Sequence, residues 1–280
     1  MPHHFKLYIA LIVICLLFPI GNAFAGAWMQ PDGGGQVITT ATYYATDSFF
    51  NKHGSRIDQT SRYRKDSLDA YAEYGLSEAY TFGIQPTYDW VSNKGGGINA
   101  SENGLADTPI FLRERIWHDD NNVFSVQELA TIPGPYDKHS QAALGYGQSD
   151  LELRGLYGHS GDMTIPYLNN LPYFTDIEGA YRERFDGPAN ELRMDLTFGV
   201  KPEDGLMLLA QSFSIAGLGN ATTNSFVPPS APNYDLSKIQ LSGVVDVPYG
   251  FSLQAGGSVD VYGRNTGGGE SLFIAVWRSF

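Results

Sequence analysis

One pattern constrains this chain above all others: apolar and polar side chains alternate over stretches of about 10–14 residues. In residues 238–247, Ile239, Leu241, Gly243, Val245 and Val247 fall on one face, and Lys238, Gln240, Ser242, Val244 and Asp246 on the other. After Pro248-Tyr249-Gly250 the pattern resumes, with Phe251, Leu253, Ala255, Gly257, Val259 and Val261 set against Ser252, Gln254, Gly256, Ser258 and Asp260. Period-two alternation is the signature of a strand with one apolar and one polar face. The two stretches therefore read as a hairpin with one continuous greasy side. The pattern returns along the chain and predicts about twelve strands, at 36–47, 62–76, 79–92, 107–118, 122–133, 148–158, 173–184, 189–201, 205–216, 235–247, 250–263 and 268–280. Short turns are expected at 75–78, 118–122, 202–205 and 248–250. Longer Gly-rich loops are expected at 48–61, 92–106, 134–147 and 218–234. The stretch 160–172 is long for a turn and 184–190 short for a loop.

The N-terminus carries a different signal. Residues 1–6 hold one Lys, residues 7–20 are apolar, and Ala23-Phe24-Ala25 precedes Gly26. This is the layout of an export signal peptide cleaved after Ala25, and the apolar run is short for the ~20 residues of a spanning helix. The expected organisation is thus a leader, 1–25, and one domain, 26–280. Cys15 is the only cysteine and lies in the leader, so the mature chain has no disulfide and no thiol chemistry. Cleavage removes one Lys and no acid, leaving 17 basic and 30 acidic residues and a net charge of −13. Such a balance repels phosphate and excludes nucleic acid as a partner.

A soluble β-sandwich also alternates. Export, a polar face of mixed charge and the last strand favour a closed membrane barrel instead. Backbone groups in lipid must all be paired, so an exported spanning protein closes its sheet. The final residues, 272–280, alternate and end in Phe280, which resembles the signal read by barrel-insertion machinery; Arg278 stands where a hydrophobe is usual. The expected fold is all-β: a closed antiparallel transmembrane β-barrel in the cell outer membrane, with short periplasmic turns, longer extracellular loops and outer-membrane lipid around it. Tyr43, Tyr44, Tyr74, Tyr80, Trp90, Trp117, Tyr157, Tyr262 and Trp277 lie near strand ends, as girdle residues would.

Alternation assigns the inward face 10 acids and 7 bases. The candidate eyelet is Arg113, Arg115, Asp150, Glu152, Arg154, Arg182, Arg184, Glu191, Arg193 and Asp195. Charges of both signs in a narrow interior order water and select a solute, or pair into a plug that leaves no path. No catalytic, cofactor or metal site is expected. The four His of the mature chain, His53, His118, His139 and His159, do not cluster. None sits mid-strand on the outer face two residues from a Ser, where an outer-membrane lipid hydrolase would hold its pair. Asp119 and Asp120 read as a solvated turn.

Residues 105–156 carry a resemblance. Asp107, then Phe111-Leu112-Arg113-Glu114-Arg115-Ile116-Trp117, a polar turn, Phe124-Ser125-Val126-Gln127, Ile132-Pro133-Gly134, and Gly145-Tyr146-Gly147-Gln148-Ser149-Asp150 follow in order. The stretch from Asn190 to Gly199 adds a similar strand. The pattern resembles the outer-membrane barrels associated with meta-pathway phenol degradation. That resemblance implies passage of small molecules, hydrophobic ones among them, across the outer membrane. The alternative is a structural or surface-interaction barrel with a plugged lumen.

Overall fold

The computed structural model describes residues 26–164, 170–185, 187–221 and 230–280. The expected leader lies outside them. Fourteen strands form one antiparallel sheet: β1 (Gly35–Phe50), β2 (Arg56–Gly75), β3 (Tyr80–Ile84), β4 (Thr87–Gly95), β5 (Ile98–Leu105), β6 (Thr108–His118), β7 (Asn122–Ile132), β8 (Asp150–Met163), β9 (Leu171–Arg184), β10 (Glu191–Glu203), β11 (Leu206–Gly217), β12 (Ser230–Val247), β13 (Phe251–Gly267) and β14 (Glu270–Ser279). The strands pair in turn around a ring, and β1 pairs with both β2 and β14. The ring has twelve members: β3 and β4 follow one another along the same edge of β2 in one register, and β6 and β5 pair with them in turn, so β4 and β5 are two extra strands that extend the wall as a hairpin. The fold is a closed, twelve-strand antiparallel barrel with two extra strands.

The turns at 76–79, 119–121, 204–205 and 248–250 share an end with Gly35 and Phe280. Short turns beside the termini mark the periplasmic end. The opposite end departs from expectation. The chain predicted to loop at 48–61 stays in strands except for 51–55, and most of the loop predicted at 92–106 is the β4–β5 hairpin. Both segments project past the apolar belt. On β5 the outward residues include Asn99, Ser101 and Asn103, so the outer face there is polar and the alternation that reveals a strand is lost. Gly96 and Gly97 turn this hairpin with φ of +59° and +87°, a backbone region that glycine enters without strain. Between β3 and β4, Pro86 has no N–H to give the ladder, which divides the predicted strand 79–92 in two.

Outward side chains are apolar and exposed: Leu153, Met194, Leu241, Leu272 and Ile274 are examples. Tyr43, Tyr74, Tyr80, Trp90, Trp117, Tyr157 and Tyr262 point outward; Tyr74, Tyr80 and Trp117 stand at strand ends, as girdle residues do, whereas the strands of the other four run on past them. Tyr44 and Trp277 do not. Trp277 is 6% exposed and donates its indole N–H to Gln254 Oε1 at 3.0 Å, while the Tyr44 hydroxyl donates to Asp260 at 2.9 Å. Both share a parity with the polar face, and parity decides. Arg278 explains its own departure from the terminal pattern. Its guanidinium folds over the 248–250 turn, donates to the carbonyls of Tyr249 and Gly250 at 2.6 and 2.9 Å, and covers the Phe251 ring.

Asp119 is employed by its own turn. Its Oδ1 accepts the N–H of Asn121 at 2.9 Å and that of Asn122 at 2.8 Å. These bonds, the Asn121 N–H first, hold its carboxyl below the ordinary aspartate value. A depressed pKa stabilises the turn above the unfolded value of about 3.9 and loses that effect as pH falls through the lower folded value. An NMR titration of the Asp119 carboxyl should therefore find a midpoint below that of free aspartate; an equal midpoint refutes the cap. Single-tryptophan variants test the two faces. Acyl-chain bromines should quench Trp90 and Trp117 strongly and Trp277 weakly, whereas strong quenching of Trp277 would reverse the assignment.

Candidate functional site

The inward faces of β8, β9 and β10 bring the charged residues together. In register, Glu152 lies opposite Arg182, and Arg182 opposite Glu191, so one row crosses three strands with alternating sign. Glu152 receives Arg154 at 2.7 Å, Arg182 at 2.8 Å and Arg193 at 3.8 Å. Glu191 receives Arg184 and Arg193. Asp150 completes the row from Arg182 at 3.8 Å. Two inward rows toward the periplasm, Glu178 faces Asp195 directly. Like charges opposed across a sheet repel, and Arg154 resolves the conflict by bonding both carboxylates as well as Glu152. It can reach them because its own partner on β9 is Ala180, whose methyl leaves the space above it open.

Arg113 stands apart on β6. It pairs with Glu73 at 2.9 Å, donates to Gln127, and is almost wholly buried. Arg115 lies two residues nearer the periplasm, beside a register shift, and does not line the central cavity. Of the ten predicted eyelet residues, the structure thus joins eight in one network on β8–β10, sets Arg113 in a second and leaves Arg115 outside both.

Two elements narrow the lumen. From below, residues 26–30 rise from the periplasmic end and cross it. Ala27 N–H donates to Asp176 at 2.6 Å, Ala27 O accepts from Ser125 at 2.6 Å, and Trp28 O accepts from Arg113 at 3.1 Å. Gln30 bonds Thr81 through its N–H and Glu73 through its side chain. The Trp28 ring meets Phe174 edge-on, against a buried cluster that includes Met207, Leu209, Ala275 and Trp277. From above, the β7–β8 loop folds inward, burying Ala142 and Leu144 against Tyr63, Val91 and Ala106. Asp107 clamps this loop: its Oδ1 accepts the Gly134 N–H at 2.9 Å and the Tyr136 hydroxyl at 2.6 Å. Burial and that carboxylate push the Tyr136 hydroxyl above the ordinary tyrosine value, so it remains a donor. A Cβ on Gly145 would strike the same two groups. The motif from Asp107 to Gly147 is therefore a loop anchor. Alternation could not reveal residues 26–30 or Asp107, because their partners are set by the closed ring.

A cavity of about 690 Å³ remains in the middle. Arg154, Arg182, Arg193 and Asp195 line it together with Phe174, Met207, Leu209, Phe213, Phe273 and Trp277, and with Lys238, Gln211 and Gln240. His159 is not paired as a hydrolase would need. Its ring nitrogens meet Asn122 Oδ1 at 2.8 Å and Tyr173 Oη at 3.1 Å, not a serine hydroxyl.

No protein-family model matches the chain, and no curated protein matches it. Solved structures do. The COG4313 outer membrane channel from Pseudomonas putida F1 superposes with a TM-score of 0.65 at 15% identity, over 93% of this chain and 100% of that one. The translocator domain of the autotransporter NalP from Neisseria meningitidis gives 0.47 at 12% identity, over 99% and 96%. A Pseudomonas aeruginosa FadL homologue gives 0.41 at 9%, over 94% and 99%. At these identities the likeness is one of fold. The first of these structures shares the closed-barrel fold described above, whose apolar outer belt and charged interior are those of a barrel set in an outer membrane.

Glu152 is the acid on which three guanidiniums converge. Removing one partner of a buried ion pair strands the rest, at about 3–5 kcal/mol. Glu152→Ala should lower the urea stability of the barrel in vesicles by that amount; a change under about 1 kcal/mol, the range of exposed pairs, would show the network to be solvated.

Proposed function

We propose that the barrel is a gated, passive route across the outer membrane for small solutes that have both a polar and an apolar part. The cavity carries this reading: about 690 Å³ of space, lined both by arginines and carboxylates and by aromatic and aliphatic side chains. A structural plug has no use for such a chamber. A solute entering from outside would pass the Asp107-clamped loop, exchange hydration for the charged wall, and leave past Trp28. The fold shared with a protein described as an outer membrane channel supports the same reading. The motif resemblance to meta-pathway phenol-degradation barrels supports small solutes, hydrophobic ones among them.

The segment 26–30 favours a second reading, a structural barrel that stays shut. Single-channel recording in planar bilayers separates the two. The uptake reading expects discrete steps whose size changes when Arg113 and Arg154, which line the cavity, become Ala, and grows in Trp28→Ala and in Asp107→Ala. Silence at every voltage in all of these proteins supports the plug.

A further inference from the structure

Within the lumen, six carboxylates form ion pairs with five guanidiniums. Asp176 is a seventh, 3% exposed, and among the described residues no guanidinium or ammonium lies within ion-pairing distance of it. Its neighbour Glu178 adds a like charge on the same face. A desolvated carboxylate without a cation is costly, and the groups that touch it are the Glu178 carboxyl, itself an acid, and the start of the expected mature chain. Ala27 N–H donates to Asp176 Oδ2 at 2.6 Å. Gly26 lies so close that a Cβ there would meet the same oxygen at 2.2 Å, and its φ is +93°.

We infer that Asp176, with Glu178, is a binding site for the α-ammonium that leader removal creates on Gly26. Hydrolysis of the Ala25–Gly26 bond by a leader peptidase consumes one water. Ala25 departs with the new carboxylate, and Gly26 keeps the nitrogen, protonated. The uncut chain offers an uncharged amide with one N–H at this point; the cut chain offers a full positive charge and three N–H donors. Rotation about the Gly26 backbone brings that charge onto a carboxylate already anchored by the next residue's amide. Glycine is the residue that fits, since any side chain collides with the carboxylate. Leader removal then adds a charge that fastens the seated 26–30 segment, and the processed barrel gains a cation at Asp176 that the uncut chain does not have. The inference rests on the leader reading and is independent of solute passage.

The test needs no solute. Intact-mass measurement of the purified protein should give a chain that begins at Gly26. The folded barrel in detergent is then treated with an N-hydroxysuccinimide ester of acetate, and acetylation of the α-amine is followed by peptide mass spectrometry, with exposed Lys52 as the internal reference. An ion-paired ammonium whose affinity for its proton rises by one pKa unit reacts about tenfold more slowly. Acetylation should be slowed by that factor in the natural protein relative to the Asp176→Asn, Glu178→Gln double variant, with Lys52 unchanged. A second variant leaves the wall intact: Gly-Ser inserted between Ala25 and Gly26 should move the ammonium off its site and restore fast acetylation. A mature chain that begins elsewhere, or equal α-amine rates in the natural and inserted proteins, overturns the inference.

Discussion

A bilayer offers no water to an unpaired N–H or C=O, and that absence governs this molecule. It forces the sheet to close, with β1 bonded on one side to β2 and on the other to β14. Closure makes an inside, and the strand's period of two then sends half of every strand there. The chain is not free to choose a dry interior: with a ring of twelve strands the inward positions are too many and too widely spaced for a simple apolar core. Charge fills part of the space, because guanidinium and carboxylate side chains are long enough to reach across a row and to satisfy one another.

The details of that filling follow from register. Where the strands place acid against base, as at Glu152 and Arg182, the pair forms across the ladder. Where they place acid against acid, as at Glu178 and Asp195, an arginine is drawn from a different strand, and a small residue must stand in its path. Ala180 is thus as much a part of the electrostatics as Arg154. The apolar side of the lumen is handled differently: Phe174, Met207 and Trp277 are covered by Trp28, a side chain delivered by the segment that precedes the first strand.

How much of this was legible depends on whether a signal is local. The inward parity of Asp150, Glu152, Arg154, Arg193 and Asp195 is written in alternation and needs nothing else. Tyr44 and Trp277 obeyed the same parity, although their residue types suggested a membrane-interface role. Strands were hidden wherever they outrun the lipid. On β5 and at the start of β2 the outward positions are polar, so the contrast between faces disappears while the hydrogen-bonding ladder continues. Least legible of all were the Gly26–Gln30 contacts, whose partners are 149, 98, 85 and 51 residues distant. The Asp107 motif was visible as a pattern, but its meaning as an anchor appears only when the loop is seen returning to it.

The seam of the ring joins Gln36 to Ser279, 243 residues apart in the chain. Until the last ten residues have emerged, β1 and β13 both present bare ladder edges, and bare edges recruit foreign strands. The order of assembly is therefore dictated by chemistry at the terminus: twelve staves can be lined up in any sequence, but the hoop is shut last. A truncation at the C-terminus would remove only one stave of the twelve, yet it would leave a sheet with two open margins in a solvent that tolerates none.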